Sequence, residues 1–355
     1  MNSLEKLRAT MREKDIPAVL VTDPLNQRYL TNFSFEDGYV LVLMDKSYLI
    51  TDFRYTEAAE KAVSSDITVV APNGMLTFIE ETLKESGVSA LGYEDFSLSG
   101  FRIEKFRSFF SVPLVPVGNL FLGIRLIKSE EECEKIQKAQ DITDRAFTYI
   151  LENLREDMTE TDVALALELF MRREGAERVS FDIIAVSGKQ SALPHGVPRR
   201  KKLERGFLTM DFGCIVEGYC SDMTRTVVIG KADAEMRRLY NTVLTAQTEA
   251  IAAIAGGAPC HAVDAVARNI IENAGYHGAF GHSLGHGVGM YIHENPRLSP
   301  AAAKEELLIP GEVVTAEPGI YLPGQYGCRI EDMLLVTENG YRNFTHSKKD
   351  LIELF

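Results

Sequence analysis

The 355-residue sequence has no uninterrupted apolar segment approaching the roughly 18 residues that a membrane-crossing helix needs. Its longest apolar run, near 39–44, is strand-sized. The opening stretch MNSLEKLRATMREKD is charged from its fifth residue and lacks the apolar core of a secretory signal. A cytoplasmic location without membrane partners is therefore expected. Cysteine is scarce: Cys133, Cys214, Cys220, Cys260 and Cys328 are odd in number and form no CxxC pair. That excludes a disulfide framework and a zinc ribbon, and leaves reduced, buried thiols. Basic residues are outnumbered 38 to 51, giving a net charge of -13, so the basic footprint of a nucleic-acid binder is absent. What remains, 45% apolar and 25% charged, is the balance of a globular protein long enough for two domains. Some of the excess acid can gather around a cation.

The first third alternates short β-branched runs with helical patterns. Strands are expected at 18–22, 39–44, 47–51, 67–71 and 112–117, and helices at 55–63, 75–86 and 98–110. This α/β pattern carries neither a phosphate loop nor a set of metal-binding side chains. Asp52 and Arg54 in TDFRY read as a strand-end pair. The segment is read as structural, a lid or a dimer contact. A boundary is expected within 118–128. Beyond it, Ser129 and Glu132 have capping-box spacing and precede apolar residues at Ile136, Ala139, Ala146, Phe147, Ile150, Leu151 and Leu154. A second helix is expected from Thr159 and Asp162 to a stop at Gly175.

The later chain holds a faint internal repeat. LTMDFG from Leu208 resembles VTAEPG from Val314, and CSDMTRTVV from Cys220 resembles CRIEDMLLV from Cys328. Each half sets an acid on one strand and another on the next: Asp211 with Asp222, and Glu317 with Glu331. Glu217-Gly218 is a hairpin turn that would bring Asp211 and Asp222 close to opposite each other. Isolated carboxylates inside apolar strands are costly, so shared cations explain four of them best. Pairing with Arg225 and Arg329 would account for only part of the set. The stretch GHSLGHGVGMYIHENP adds His282, His286 and His293, with glycines that let backbone approach a ligand closely. His195, in SALPHGVP, stands apart in a turn-like segment. Four carboxylates and one imidazole form a hard donor set that suits Mn(II), with Co(II), Fe(II) and Zn(II) as competitors. Four negative charges balance two divalent ions and leave a hydroxide as nucleophile, which is hydrolytic chemistry.

At DFGCIVEGYCSDMTRT, GHSLGHGVG, AEPGIY and RIED the chain closely resembles the Xaa-Pro peptidases of the pita-bread metallopeptidase family, which includes prolidase and aminopeptidase P. YLTNF and TDFRYTEAA resemble that family's N-terminal domain more weakly. The resemblance implies a creatinase-like α/β domain over 1–122. An α+β pita-bread catalytic domain with a pseudo-twofold repeat would follow over 128–355. It implies metal ligation by Asp211, Asp222, His286, Glu317 and Glu331, with Glu317 also transferring a proton. His195 and His293 would stabilise the oxyanion, and Arg329 would orient Glu331 or its neighbours from behind. His282 would line the substrate site. Arg297, in HENPRLSP, resembles the arginine that grips a dipeptide's terminal carboxylate, although an exposed loop arginine would look the same. Tyr291 stands where relatives often carry an acid.

Small peptides with proline second are thus the expected substrates, dipeptides first and longer chains as the alternative, in a homodimer. Methionine aminopeptidase and a non-catalytic binding protein on this fold are competing readings. The long N-terminal domain weighs against the first and the complete ligand set against the second.

Overall fold

A computed structural model describes residues 2–355, which form two compact units, 2–125 and 126–355. In the first, a six-stranded mixed sheet runs in the order Thr68–Val70, Ser47–Ile50, Tyr39–Leu43, Ala18–Val21, Leu91–Tyr93 and Leu114–Pro116. Ala18–Val21 is buried along its whole length at the centre, as a strand of four consecutive apolar residues should be. The expected Asp52–Arg54 pair stands beside features that the sequence pattern does not suggest. Arg54 pairs with Asp52, and also with Asp37, at 2.6 Å each. The helix Pro24–Thr31 and the strand Leu91–Tyr93 were not anticipated. The helix is short and starts on an Asp23 cap with proline in its first turn, while LGY is too brief to show alternation.

The second unit is built from two similar halves. Helix α1 (Glu130–Asn153) starts on a reciprocal Ser129–Glu132 capping box, and α2 (Glu160–Arg173) on one formed by Thr159 and Asp162. They cover one face of a sheet containing β1 (Ile184–Ser187), β2 (Gly206–Phe212) and β3 (Met223–Ile229). In the other half, α3 (Ala234–Ala252) and α4 (Cys260–Asn273) cover a sheet holding β4 (Gly285–Gly287), β5 (Glu294–Leu298) and β6 (Val313–Ala316). A hairpin of β7 (Gly319–Leu322) and β8 (Tyr326–Arg329) leads into β9 (Asp332–Thr337), which pairs with β6.

Strand alternation then decides which side chains meet the helices. Leu208, Met210 and Phe212 on β2, with Met223 and Val227 on β3, pack into the α1–α2 core. Val314, Ala316, Leu334 and Val336 do the same against α3 and α4. Each fully buried Leu, Val or Phe contributes about 1.5–3 kcal/mol, which offsets polar burial elsewhere. The intervening positions, Asp211, Thr224 and Thr226 in one half and Thr315, Glu317 and Glu331 in the other, fall on the opposite faces. Those faces meet: Thr226 Oγ1 donates to the Arg329 carbonyl at 2.9 Å, and Glu331 N donates to the Thr224 carbonyl at 3.1 Å.

Candidate metal centre

The two acid-bearing hairpins are not identical. Residues 217 and 218 both have positive φ, 49° and 86°, and join Val216 to Tyr219 as a two-residue turn. In the resulting register Asp211 faces Thr224, so Asp222 lies diagonal to Asp211 rather than directly opposite it. Glu317 and Glu331 each adjoin the end of the Ala316–Asp332 pairing and continue its register across to Gly319–Arg329, which sets them opposite each other.

The glycines of 285–289 serve a purpose other than the expected one. A Cβ on Gly285 would meet the Thr315 carbonyl at 2.0 Å, and one on Gly287 the Asn295 carbonyl at 2.0 Å. They permit β4 to lie against β5 and β6, where their sequence pattern pointed to a ligand. Close strand packing in turn presents His286, whose Nδ1 lies 3.0 Å from the Gly287 carbonyl. Nδ1 therefore donates, and Nε2 keeps its lone pair toward the carboxylates.

That nitrogen is 3.6 Å from Asp222 Oδ2 and 3.4 Å from Glu317 Oε1. One donor atom each from Asp222, His286 and Glu331 lies within 4.8 Å of the others. Asp211 joins through Arg329, whose Nη2 donates to Asp211 Oδ2 at 2.6 Å while its Nε stands 3.9 Å from Glu317. Glu331 accepts from Thr224 Oγ1 at 2.7 Å. All five expected ligands thus line one cavity of about 530 Å³, together with His195, His282, His293, Arg297 and Arg329.

Electrostatics show what this group lacks. Burial, then the charges of Asp211 and Glu317, hold the Asp222 carboxyl well above its ordinary value. Burial and Asp222 do the same to Glu331. Glu317 is pushed up to about 8 by burial, against the pull of Arg329. The His286 imidazole is pushed down to about 3 by burial, which keeps it neutral. Asp211 Oδ1 is buried with no hydrogen-bond partner among the described residues. A neutral imidazole nitrogen, an orphaned carboxylate oxygen and three acids held above their normal range fit divalent cations.

Arg329 differs from expectation in detail. It binds Asp211 directly and reaches Glu331 only through Thr224, to which its Nε donates at 3.0 Å. Its Nη1 donates to Tyr321 Oη at 2.8 Å and to the Pro194 carbonyl at 3.2 Å, beside His195. Arg225 pairs instead with Asp332, at 2.8 Å, outside the cluster. Both ring nitrogens of His282 are engaged, Nδ1 by the Ser283 carbonyl at 2.8 Å and Nε2 by Tyr321 Oη at 3.0 Å. That ring holds Tyr321 and lines the cavity. Burial, then Arg329, pushes it down to about 4, so it is neutral. His293 packs edge-on against His286 with ring centres 4.5 Å apart, and burial lowers it as well. Thr224 and Tyr321 escaped the sequence reading. Thr224 stands two residues after Asp222, and Tyr321 four after Glu317, so spacing alone held a signal for both.

Opposed carboxylate hairpins completed by a buried imidazole, between two helix-backed sheets, define a metal-dependent hydrolase. Residues 134–338 match the model of metallopeptidase family M24, and residues 4–127 that of the creatinase/prolidase N-terminal domain. The chain belongs to metallopeptidase family M24 and has its pita-bread fold. It is 39% identical over 353 residues to the Xaa-Pro dipeptidase of Pyrococcus furiosus, covering 98% of this chain and 99% of that one. Its structure resembles that of the Xaa-Pro dipeptidase from Bacillus anthracis, with a TM-score of 0.94, 40% identity and 99% coverage of each chain. An X-Pro aminopeptidase from Thermotoga maritima matches with a TM-score of 0.91, 34% identity and full coverage of both. No helix among the described residues is long and apolar enough to cross a membrane.

Proposed function

We infer that this metallopeptidase hydrolyses the bond between an N-terminal residue and a following proline, with dipeptides as its main substrates. The observation that carries the reading is the convergence of five metal-type donors and the guanidinium of Arg297 on one cavity. Asp211, Asp222, His286, Glu317 and Glu331 would hold two divalent ions, most suitably Mn(II) given four carboxylates and one imidazole. When bound, such ions supply the Lewis acidity that makes water a nucleophile near neutral pH.

The chain's own groups do the rest. Glu317 accepts a proton from the attacking water and passes it to the departing proline nitrogen. His195 and His293 donate hydrogen bonds to the oxygen on which negative charge develops. Arg329 and Thr224 keep Asp211 and Glu331 from turning away, through bonds of 2.6 and 2.7 Å. Arg297 is exposed, has no ion pair among the described residues, and offers a planar fork to the terminal carboxylate of a dipeptide.

Purified protein supplied with Mn(II) is expected to cleave Ala-Pro and Leu-Pro. Turnover of Xaa-Pro tripeptides without turnover of any dipeptide would replace this reading by aminopeptidase activity, which the likeness to the Thermotoga maritima enzyme favours. Arg297→Ala should raise the KM for dipeptides about tenfold, the worth of a charge-assisted bond, and leave KM for longer peptides nearly unchanged. Equal increases for both would refute the carboxylate role. We also infer a cytoplasmic homodimer. The five cysteines are all free and buried, which suits a reducing compartment. Light scattering that gives a monomer's mass, or fractionation away from the cytoplasm, would count against this.

A further inference from the structure

The cavity is lined by one carboxylate that the metal cluster does not use, that of Asp182. It is exposed at the rim and makes no hydrogen bond or ion pair with other described residues. Its neighbours are apolar: Phe181 and Ile183 flank it, and Ile184 continues the wall opposite Asp211 in the β1–β2 register. Ile292 lines the same space, as does Val197, which is 78% exposed although fully apolar. Arg297 belongs to β5, on the other half of the unit, so the cavity's free cation and its free anion are carried by different halves.

On the Xaa-Pro reading, on which this inference rests, the scissile carbonyl must lie at the five-donor cluster. The α-carbon of the first residue is one bond from that carbonyl and is fixed beside the cluster. With the proline carboxylate at Arg297 and the α-ammonium one bond from an α-carbon that sits beside the acids of the cluster, the first side chain is the part long enough to run along the apolar wall to the rim. A long cationic side chain matches such a path, because its methylene stem seeks apolar contact while its head needs water and an anion.

We propose that Asp182 is a specificity determinant that favours lysine or arginine as the first residue and rejects glutamate or aspartate there. Rejection follows from the same carboxylate, since a like charge brought to an unpaired anion is repelled. The effect is modest and salt-sensitive, because the site is open to solvent.

The test is a set of kcat/KM values for Lys-Pro, norleucine-Pro, Leu-Pro and Glu-Pro, measured with the Mn(II)-loaded full chain. The parent should prefer Lys-Pro over norleucine-Pro, which shares its stem but not its charge. Asp182→Asn should lower the Lys-Pro to Leu-Pro ratio about fivefold, as expected for an exposed ion pair, chiefly through KM. It should also raise the Glu-Pro to Leu-Pro ratio, and Asp182→Lys should carry both changes further. The differences should shrink in high salt. Ratios that stay constant across all three proteins, with Leu-Pro still cleaved, would overturn the role of Asp182 alone. Failure of the parent to cleave Leu-Pro would remove the Xaa-Pro reading and this inference with it.

Discussion

Glu317→Gln should slow Leu-Pro hydrolysis by roughly 10²–10⁴-fold, the range of a general acid–base group, while making the metal-free protein more stable at alkaline pH. The two effects have one cause. In the folded, metal-free protein the Glu317 carboxyl is pushed up to about 8 from an ordinary 4.5, chiefly by burial. Its proton is therefore held more tightly in the folded state than in the unfolded chain. Below pH 4.5 both states are protonated and the residue costs nothing. Between pH 4.5 and 8 the unfolded chain gains by ionising while the folded one cannot, so stability falls; above 8 the loss is complete. Glutamine does not ionise and escapes this loss.

The gain should be on the order of 2 kcal/mol above pH 8. It should vanish near pH 4.5. Calorimetry with a chelator at pH 5 and at pH 8.5 measures it. A variant less stable than the parent at pH 8.5 would mean that Glu317 is not a strained carboxylate. Divalent ions should stabilise the parent increasingly as pH rises, since binding must displace the proton, and should stabilise the variant less.

Much of this candidate centre is legible in the sequence, for a physical reason. A buried acid in an apolar strand needs a partner, and four of them in two repeated strand pairs need a shared one. Asp211, Asp222, Glu317 and Glu331 could be chosen on that ground alone. The capping boxes at Ser129 and Thr159 were equally plain, because they are local. The harder parts depend on chain segments far apart in sequence. Arg329 and Pro194 are 135 residues apart, and no spacing rule joins an arginine to a distant carbonyl. The glycines of 285–289 misled for a related reason. Gly285 and Gly287 admit a neighbouring backbone just as they would admit a ligand, and only the fold tells these apart. Asp182 gave no sign either. One exposed acid beside Phe181 is commonplace until a cavity is found around it.

Arg329→Met should be the most destabilising single change near the centre, costing about 3–5 kcal/mol in the metal-free protein. The residue is 3% exposed, and methionine fills its volume without its charge. Asp211 Oδ2 would lose a 2.6 Å bond while its Oδ1 already has no partner among the described residues. The Tyr321 hydroxyl and the Pro194 carbonyl would lose donors too, and the latter loosens the turn that carries His195. The principal loss is the buried charge left on Asp211, so removing that charge as well should restore stability. The double variant Asp211→Asn/Arg329→Met is expected to recover more than half the lost stability and none of the activity, since Asp211 is itself an inferred ligand. Denaturant unfolding of the parent, both single variants and the double closes the cycle. A coupling energy below about 0.5 kcal/mol would show that Arg329 acts by packing. A large coupling in the metal-free protein that shrinks on adding Mn(II) would show the ion taking over the guanidinium's charge balance at Asp211.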